Sequence, residues 1–298
     1  MQSNGANGRD RTSRVDRQLG IREEVSYLGE PGSRLLTMRH LPLADPRGGV
    51  VIAPSICSDF LRNYRREVLI ARDLAGRGIA VQRFHYRGTG NSEGDPELTT
   101  FDDLCDDMRV VTVELVHALG ALSMAFVGTR FGALVAATVA RDWPTAPLAL
   151  ADPVVEARRF FREGFRARMA ATVKAGEDAQ LVTADLVAEV DETGAVDILG
   201  HTVHRALFHS AAEHRLTEPS PGARPVLCLQ FGGNNGLRRE YEHLCSTLRE
   251  HGCSVEASVV GDQLAWWFID EEDGMSFDAV PLVAAWVERQ LLVTEEPT

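Results

Sequence analysis

The sequence predicts an α/β protein, with a mostly parallel sheet carrying helices on both faces and one helical cap. Three observations predict it. Short apolar runs alternate with helical stretches from Gly49 to Ala151 and again from Val226 to Gln290. A helical run almost free of strands interrupts that alternation between Val155 and Arg215. A buried run also enters a helix through a tight turn flanked by Gly128 and Gly132. Parallel strands need crossover helices, and those helices cover both faces of the sheet.

The elements follow in order. Gly49 to Pro54 is a short apolar strand, Arg62 to Gly76 a helix closed by Gly76 and Gly78, and Ile79 to Phe84 a second strand. Phe101 to Leu119 has helical period, Leu122 to Val127 is a buried strand, Gly132 to Arg141 a helix of small residues and Pro147 to Ala151 the next strand. In the cap, Val155 to Gly176, Ala179 to Val190 and Thr202 to Arg215 read as helices, with a short strand at Ala195 to Leu199. Beyond the break at Pro219 to Pro225 come strand Val226 to Phe231, helix Arg238 to His251, strand Ser254 to Val260 and helix Ala279 to Gln290. Residues 1–20 are polar and Gly-rich and are expected to form a disordered tail, with ordered folding beginning near Val25. The expected organisation is a core of 21–152 and 221–298 and a cap of 153–220.

Composition narrows the function. A formal net charge of −12 repels nucleic-acid phosphates and anionic membrane surfaces. No apolar run reaches the roughly 20 residues of a membrane span, and the polar N-terminus lacks a signal-peptide core, so a cytoplasmic protein is expected. Cys57, Cys105, Cys228, Cys245 and Cys253 are scattered without metal-ligand spacing, so reduced thiols and no metal or cofactor are expected. Arginines between Arg158 and Arg168 surround Phe160, Phe161 and Phe165 as on a helix that buries its aromatics. Asp102, Asp103, Asp106 and Asp107 open a helix, where the backbone dipole favours them. Oligomeric state leaves no mark in the sequence.

The sharpest local feature is Phe126-Val127-Gly128-Thr129-Arg130-Phe131-Gly132-Ala133-Leu134. A strained strand-to-helix turn of the form Gly-x-Ser-x-Gly lifts a nucleophile above the sheet of an α/β-hydrolase; here the central residue is Arg130. The stretch Arg83-Phe84-His85-Tyr86-Arg87-Gly88-Thr89-Gly90-Asn91-Ser92-Glu93-Gly94 and the segment Asp152-Pro153-Val154-Val155 lie on either side of it. On these residues the chain resembles the serine-aminopeptidase-like α/β-hydrolases, especially the exosortase-system-associated hydrolases, over about residues 48 to 290. His85 and Asn91 stand where that family has aspartates.

The resemblance implies an α/β-hydrolase fold and a triad of serine, carboxylate and histidine. None of the three is in place: Arg130 takes the nucleophile position, Asn235 the carboxylate position, and no histidine follows His251. An arginine stays protonated and is neither nucleophile nor base near neutral pH. The resemblance also implies an oxyanion hole from the N–H of Phe131 and of Ile56 or Cys57. A guanidinium beside such a hole suits a small anion. The reading that follows is a non-hydrolytic enzyme, a lyase-like elimination such as loss of acetate from an acetylated tetronate. Arg130 would bind the anionic group and Asp152 or a cap histidine would move the proton. His201 and His204 are expected on one helical face. Ile56, Cys57, Phe131, Asn235, His204 and Trp266 complete the candidate substrate contacts. The alternatives are an inactive pseudo-hydrolase that binds a ligand or partner, with Arg130 paired to Asp152, and hydrolysis through Cys57.

Overall fold

Before any helix forms, the chain runs back and forth through three antiparallel strands. The computed structural model describes residues 11–120, 122–174, 182–218, 220–232, 236–262 and 276–292. β1 (Thr12–Asp16), β2 (Ile21–Leu28) and β3 (Leu35–Pro42) pair in succession, with Val25 opposite both Thr12 and Met38. β1 corrects the expected tail over 1–20: residues 12–16 are a strand held by its backbone ladder. Its side chains are nearly all exposed, so composition alone hid it.

The alternating part follows as β4 (Gly49–Ala53), α1 (Cys57–Gly76), β5 (Ala80–Phe84), α2 (Phe101–Leu119), β6 (Met124–Thr129), α3 (Gly132–Val139) and β7 (Leu148–Ala151). Strands β4 to β7 are buried along their whole length, which is why they read as continuous apolar runs. Their alternate residues feed two cores. Val50, Ile52 and Val127 meet Ile70 and Leu74 of α1 on one face. Val51, Phe126 and Leu148 meet Met108, Val111 and Val135 on the other. Thr100 caps α2 in a reciprocal box with Asp103, and Arg87 bridges Asp103 and Asp107, so the acidic run is structural.

The stretch between β7 and β10, where a cap is expected, comprises α4 (Ala157–Lys174), α5 (Thr183–Thr193), β8 (Ala195–Ile198), β9 (His201–His204) and α6 (Arg205–Ala211). Phe161 and Phe165 of α4 are buried and Phe160 is half-buried. The helix expected from Thr202 instead begins with a strand. β8 and β9 form a hairpin through Leu199 and Gly200, whose φ values of 53° and 84° give a left-handed turn. His201 and His204 are therefore not neighbours on a helix face; three apart in a strand, they point to opposite sides.

The chain returns through β10 (Pro225–Phe231), α7 (Arg239–Glu250), β11 (Ser254–Val260) and α8 (Ala279–Leu292). The nine-stranded sheet has the order β1-β2-β3-β5-β4-β6-β7-β10-β11, parallel from β5 to β11. The C-terminal ends of β4, β6, β7 and β10 lie side by side in this order. In open α/β sheets that edge is where ligands bind. Among the described residues no helix is long and apolar enough to cross a membrane.

Candidate functional site

The turn between β6 and α3 is forced by close packing. A Cβ on Gly128 would lie 2.5 Å from Cα of Ala133, and one on Gly132 would lie 2.2 Å from the carbonyl oxygen of Ala53. Only glycine fits at either place. Between them Arg130 takes a left-handed conformation with φ of 48°, held by its N–H to Ala151 O at 3.0 Å and by Val154 N–H to its carbonyl at 3.1 Å. Cys57 (φ 53°) at the end of the β4 loop and Asp152 (φ 45°) after β7 share this conformation. Three residues with side chains thus hold an uncommon backbone conformation at adjacent strand ends, each costing on the order of 1–3 kcal/mol.

Two aspartates meet one guanidinium here. Arg130 Nε donates to Asp59 Oδ2 at 2.8 Å, and Nη1 donates to Asp152 Oδ2 at 2.9 Å and to Asp152 O at 3.1 Å. The Arg130 side chain is 13% exposed, and Asp59 and Asp152 are almost fully enclosed. Burial alone would ease the proton off Arg130, but the two carboxylates outweigh it and hold the guanidinium more firmly charged than in water. Nη2 makes no hydrogen bond to a described residue.

Asp152 is the most heavily bonded group of the site. Its Oδ1 accepts from Phe231 N–H at 3.1 Å and Arg238 Nη2 at 2.7 Å, with the Tyr241 hydroxyl at 3.1 Å. That hydroxyl also lies 2.9 Å from Pro153 O, an alternative acceptor for its single proton. Burial and the neighbouring Asp152 push the Tyr241 phenol far above its ordinary value, so it stays protonated. Asp59 has Arg62 Nη1 3.6 Å from its other oxygen. Three guanidinium groups, Arg62, Arg130 and Arg238, therefore meet the two carboxylates at the strand ends.

The remaining candidates fall as follows. The Phe131 N–H donates to Ser55 Oγ at 3.3 Å, so a side chain of the protein already occupies that oxyanion donor. Ile56 is buried at the start of α1. The Cys57 thiol, shielded although the residue is only half-buried, is pushed up to about 12 by burial and by Asp59. A thiol held protonated is a poor nucleophile. His204 ends β9 opposite Ala195. It is His201 that lies within electrostatic reach of the site: burial lowers it, Asp197 raises it, Arg62 lowers it and Asp59 raises it. Phe131 is walled by the cap aromatics Phe160 and Phe161, ring centroids 5.3 and 6.0 Å away. Asn235 and Trp266 lie outside the described residues. A groove of about 600 Å³ lined by Leu69, Arg72, Gly76, Phe277 and Pro281 sits at the C-terminal half of α1, the opposite end of that helix from Asp59.

Asp59, Arg238 and Tyr241 were absent from the expected set. Their positions carry no motif. The one available signal was that Ser58-Asp59 directly follows the strand-end loop, where an acidic residue in a first helical turn is favoured by the dipole.

With this geometry in view, the relatives are informative. The family model for serine aminopeptidase, S33, matches residues 45–194. No curated protein matches the chain in sequence. Among solved structures, Est1E from Butyrivibrio proteoclasticus is similar, with a TM-score of 0.59 at 14% identity over 90% of this chain and 98% of that one. Mouse alpha/beta hydrolase domain-containing protein 10 gives 0.60 at 13% over 91% and 99%. An alpha-beta serine hydrolase homologue from Coxiella burnetii gives 0.51 at 17% over 90% and 96%. At these identities the likeness is one of fold.

Proposed function

Because the chain belongs to the serine aminopeptidase S33 family of the α/β-hydrolases, we propose a reading built on what its elbow keeps and what it has exchanged: a non-hydrolytic member that binds a small carboxylate-bearing molecule. The observation that carries this reading is Arg130 itself, at the nucleophile position and clamped by Asp59 and Asp152. The position that would attack an ester or a peptide carries a fixed cation. The Nη2 of Arg130, which bonds to no described residue, suits an anion, and a guanidinium recognises a carboxylate through paired N–H donors. Strained backbone at Cys57, Arg130 and Asp152 supports a retained site, since such strain persists where the surroundings enforce it. Est1E, one of the structural neighbours, has been solved with ferulic acid, an aromatic carboxylate. The half-buried Phe160 beside Phe131 offers this chain an aromatic wall for a ligand of that kind.

Binding is favoured over elimination because Asp152 makes a poor base. Both of its oxygens accept charged or buried donors, and it is closed to solvent. Elimination of acetate from an acetylated tetronate-like acid stands as a second reading on the strength of His201. Burial keeps this residue neutral near pH 7, and it lies within electrostatic reach of Asp59 and Arg62.

Calorimetric titration with acetate, benzoate and ferulate tests the first reading. Saturable binding of an aromatic carboxylate is expected, weakened at least tenfold in Arg130→Lys, which keeps the charge and loses the fork. Labelling by a fluorophosphonate, or turnover of simple esters, would sink the non-hydrolytic reading. Release of acetate from a β-acetoxy acid, lost in His201→Gln, would select the second.

A further inference from the structure

Beneath the first half of α1, where β3 and β5 meet, lies a second set of buried charges that the elbow does not use. Arg83 of β5 and His85, which extends the β5 pairing through its N–H to Leu36 O at 3.0 Å, are two residues apart and face the same side of the sheet, towards α1. They are 3% and 4% exposed. Arg83 Nε and His85 Nε2 have no hydrogen-bond partner among the described residues. The rest of the Arg83 guanidinium is met only loosely: Nη1 is 3.9 Å from Met38 sulfur, Nη2 is 3.8 Å from Glu67 Oε2, and the group lies 4.5 Å over the Tyr64 ring.

The tautomer of His85 is fixed by its other nitrogen. Nδ1 accepts the Asn91 N–H at 3.1 Å, so in the neutral ring the proton sits on Nε2 and that orphan atom is a donor. Burial and Arg83 lower His85 to about 4, so the ring is neutral at physiological pH. Its walls are aromatic, with Phe60 and Tyr64 centroids at 5.0 and 5.9 Å. Tyr64 therefore touches both orphan donors' side chains.

Two acceptors in this layer already have donors. Glu67 takes the Thr129 hydroxyl and the Ser55 N–H, and Met38 sulfur has the Tyr64 hydroxyl at 3.5 Å. An anion accepts and donates nothing, and it offsets the incompletely paired charge of Arg83. We propose that Arg83 and His85 hold a small inorganic anion of halide size between β5 and α1, separate from the carboxylate site at Arg130.

Crystals of the full chain soaked in sodium bromide and measured at the bromine edge should show an anomalous peak within hydrogen-bonding reach of Arg83 Nε and His85 Nε2. In solution, chloride replacing gluconate at constant ionic strength should raise Tm by about 3 °C at saturation. That rise should vanish in His85→Phe. A water molecule refined at this position, a bromide peak only beside Arg130, or a Tm that follows ionic strength whichever anion is used would overturn the site. If His85→Phe does not fold, the bromide map of the unaltered chain decides.

Discussion

Helix α1 has two interiors. Its first half turns Asp59, Asn63, Arg66 and Glu67 onto the sheet, and its second half turns Ile70, Ala71, Leu74 and Ala75 onto the same sheet at similar burial. The apolar half contributes in proportion to area removed from water, about 25 cal/mol per Å². The charged half gains little that way, since each ion is desolvated and has to be met by a partner. Those partners run in a line. Arg130 donates to Asp59, Asn63 donates to the Asp59 carbonyl, and Arg66 donates to Asn63 Oδ1 and to Asp262, which takes the Ala279 N–H at the start of α8. One half of the helix holds the fold, and the other sets the geometry of the strand ends.

The comparison is broken most severely at its ionic end. Asp262→Ala takes a fully buried carboxylate from Arg66, which is 1% exposed, and should cost about 3 kcal/mol in urea unfolding. Arg66→Met combined with Asp262→Leu should recover most of that loss, because a packed apolar pair replaces a desolvated ionic one. A single-variant cost under about 1 kcal/mol would mean that the pair is effectively solvated. At the apolar end, Leu74→Ala should cost about 3 kcal/mol from transfer and cavity terms, measured in the same way. Carboxylate affinity should stay within about twofold of the unaltered protein, since Leu74 touches only the second interior. A large loss of affinity there would erase the distinction between the halves.

Glu67 sharpens the contrast through pH. Burial raises its carboxyl from 4.5 to about 7, against the pull of Arg83, Thr129 and the Ser55 N–H. A raised folded-state value means that the stabilising contribution is complete below pH 4.5 and is lost as pH rises through about 7. The buried His85 and His40, both lowered to about 4, act in the opposite sense: their contribution is present above pH 6.5 and is lost as pH falls through about 4. Glu67→Gln should therefore remove a decline on the order of 2 kcal/mol between pH 4.5 and 7, leaving a stability curve that rises with pH across the acid range. Unfolding midpoints measured from pH 4 to 8 in both proteins check this; parallel curves would show that Glu67 titrates as it does in the unfolded chain.

The two interiors also explain what could be read in the sequence. α2 from Phe101 to Leu119 and the middle strands were legible because apolar residues recur at the period of the element that buries them. α1 was placed from Arg62 instead of Cys57 because its first buried stripe is charged, and a polar residue at helical spacing reads as solvent-facing. The same cause hid Asp59. The cap hairpin was misread because His201 to His204 belongs to a strand of only four residues, too short to show alternation before α6 begins. Arg130 stood out since its surroundings are fixed by two glycines that no other residue can replace. Its partners are distant in sequence, 71 residues back to Asp59 and 22 on to Asp152, and no local pattern joins them.

The smallest expected effect tests whether geometry and stability separate within the site itself. Asp152 has two arginine partners of unequal standing: Arg130, 13% exposed, and Arg238, 49% exposed. Removing Arg130 would take a buried guanidinium from two buried carboxylates at once. Removing Arg238 leaves Oδ1 with the Phe231 N–H and the Tyr241 hydroxyl, and Oδ2 with Arg130. Arg238→Ala should therefore change unfolding stability by less than about 1 kcal/mol, the usual range for a half-exposed ion pair. It should still weaken carboxylate binding about three- to tenfold in calorimetry, because one positive charge beside Asp152 is gone. A stability loss without an affinity change would make Arg238 a brace for Asp152 and place ligand recognition on Arg130 and Arg62 alone.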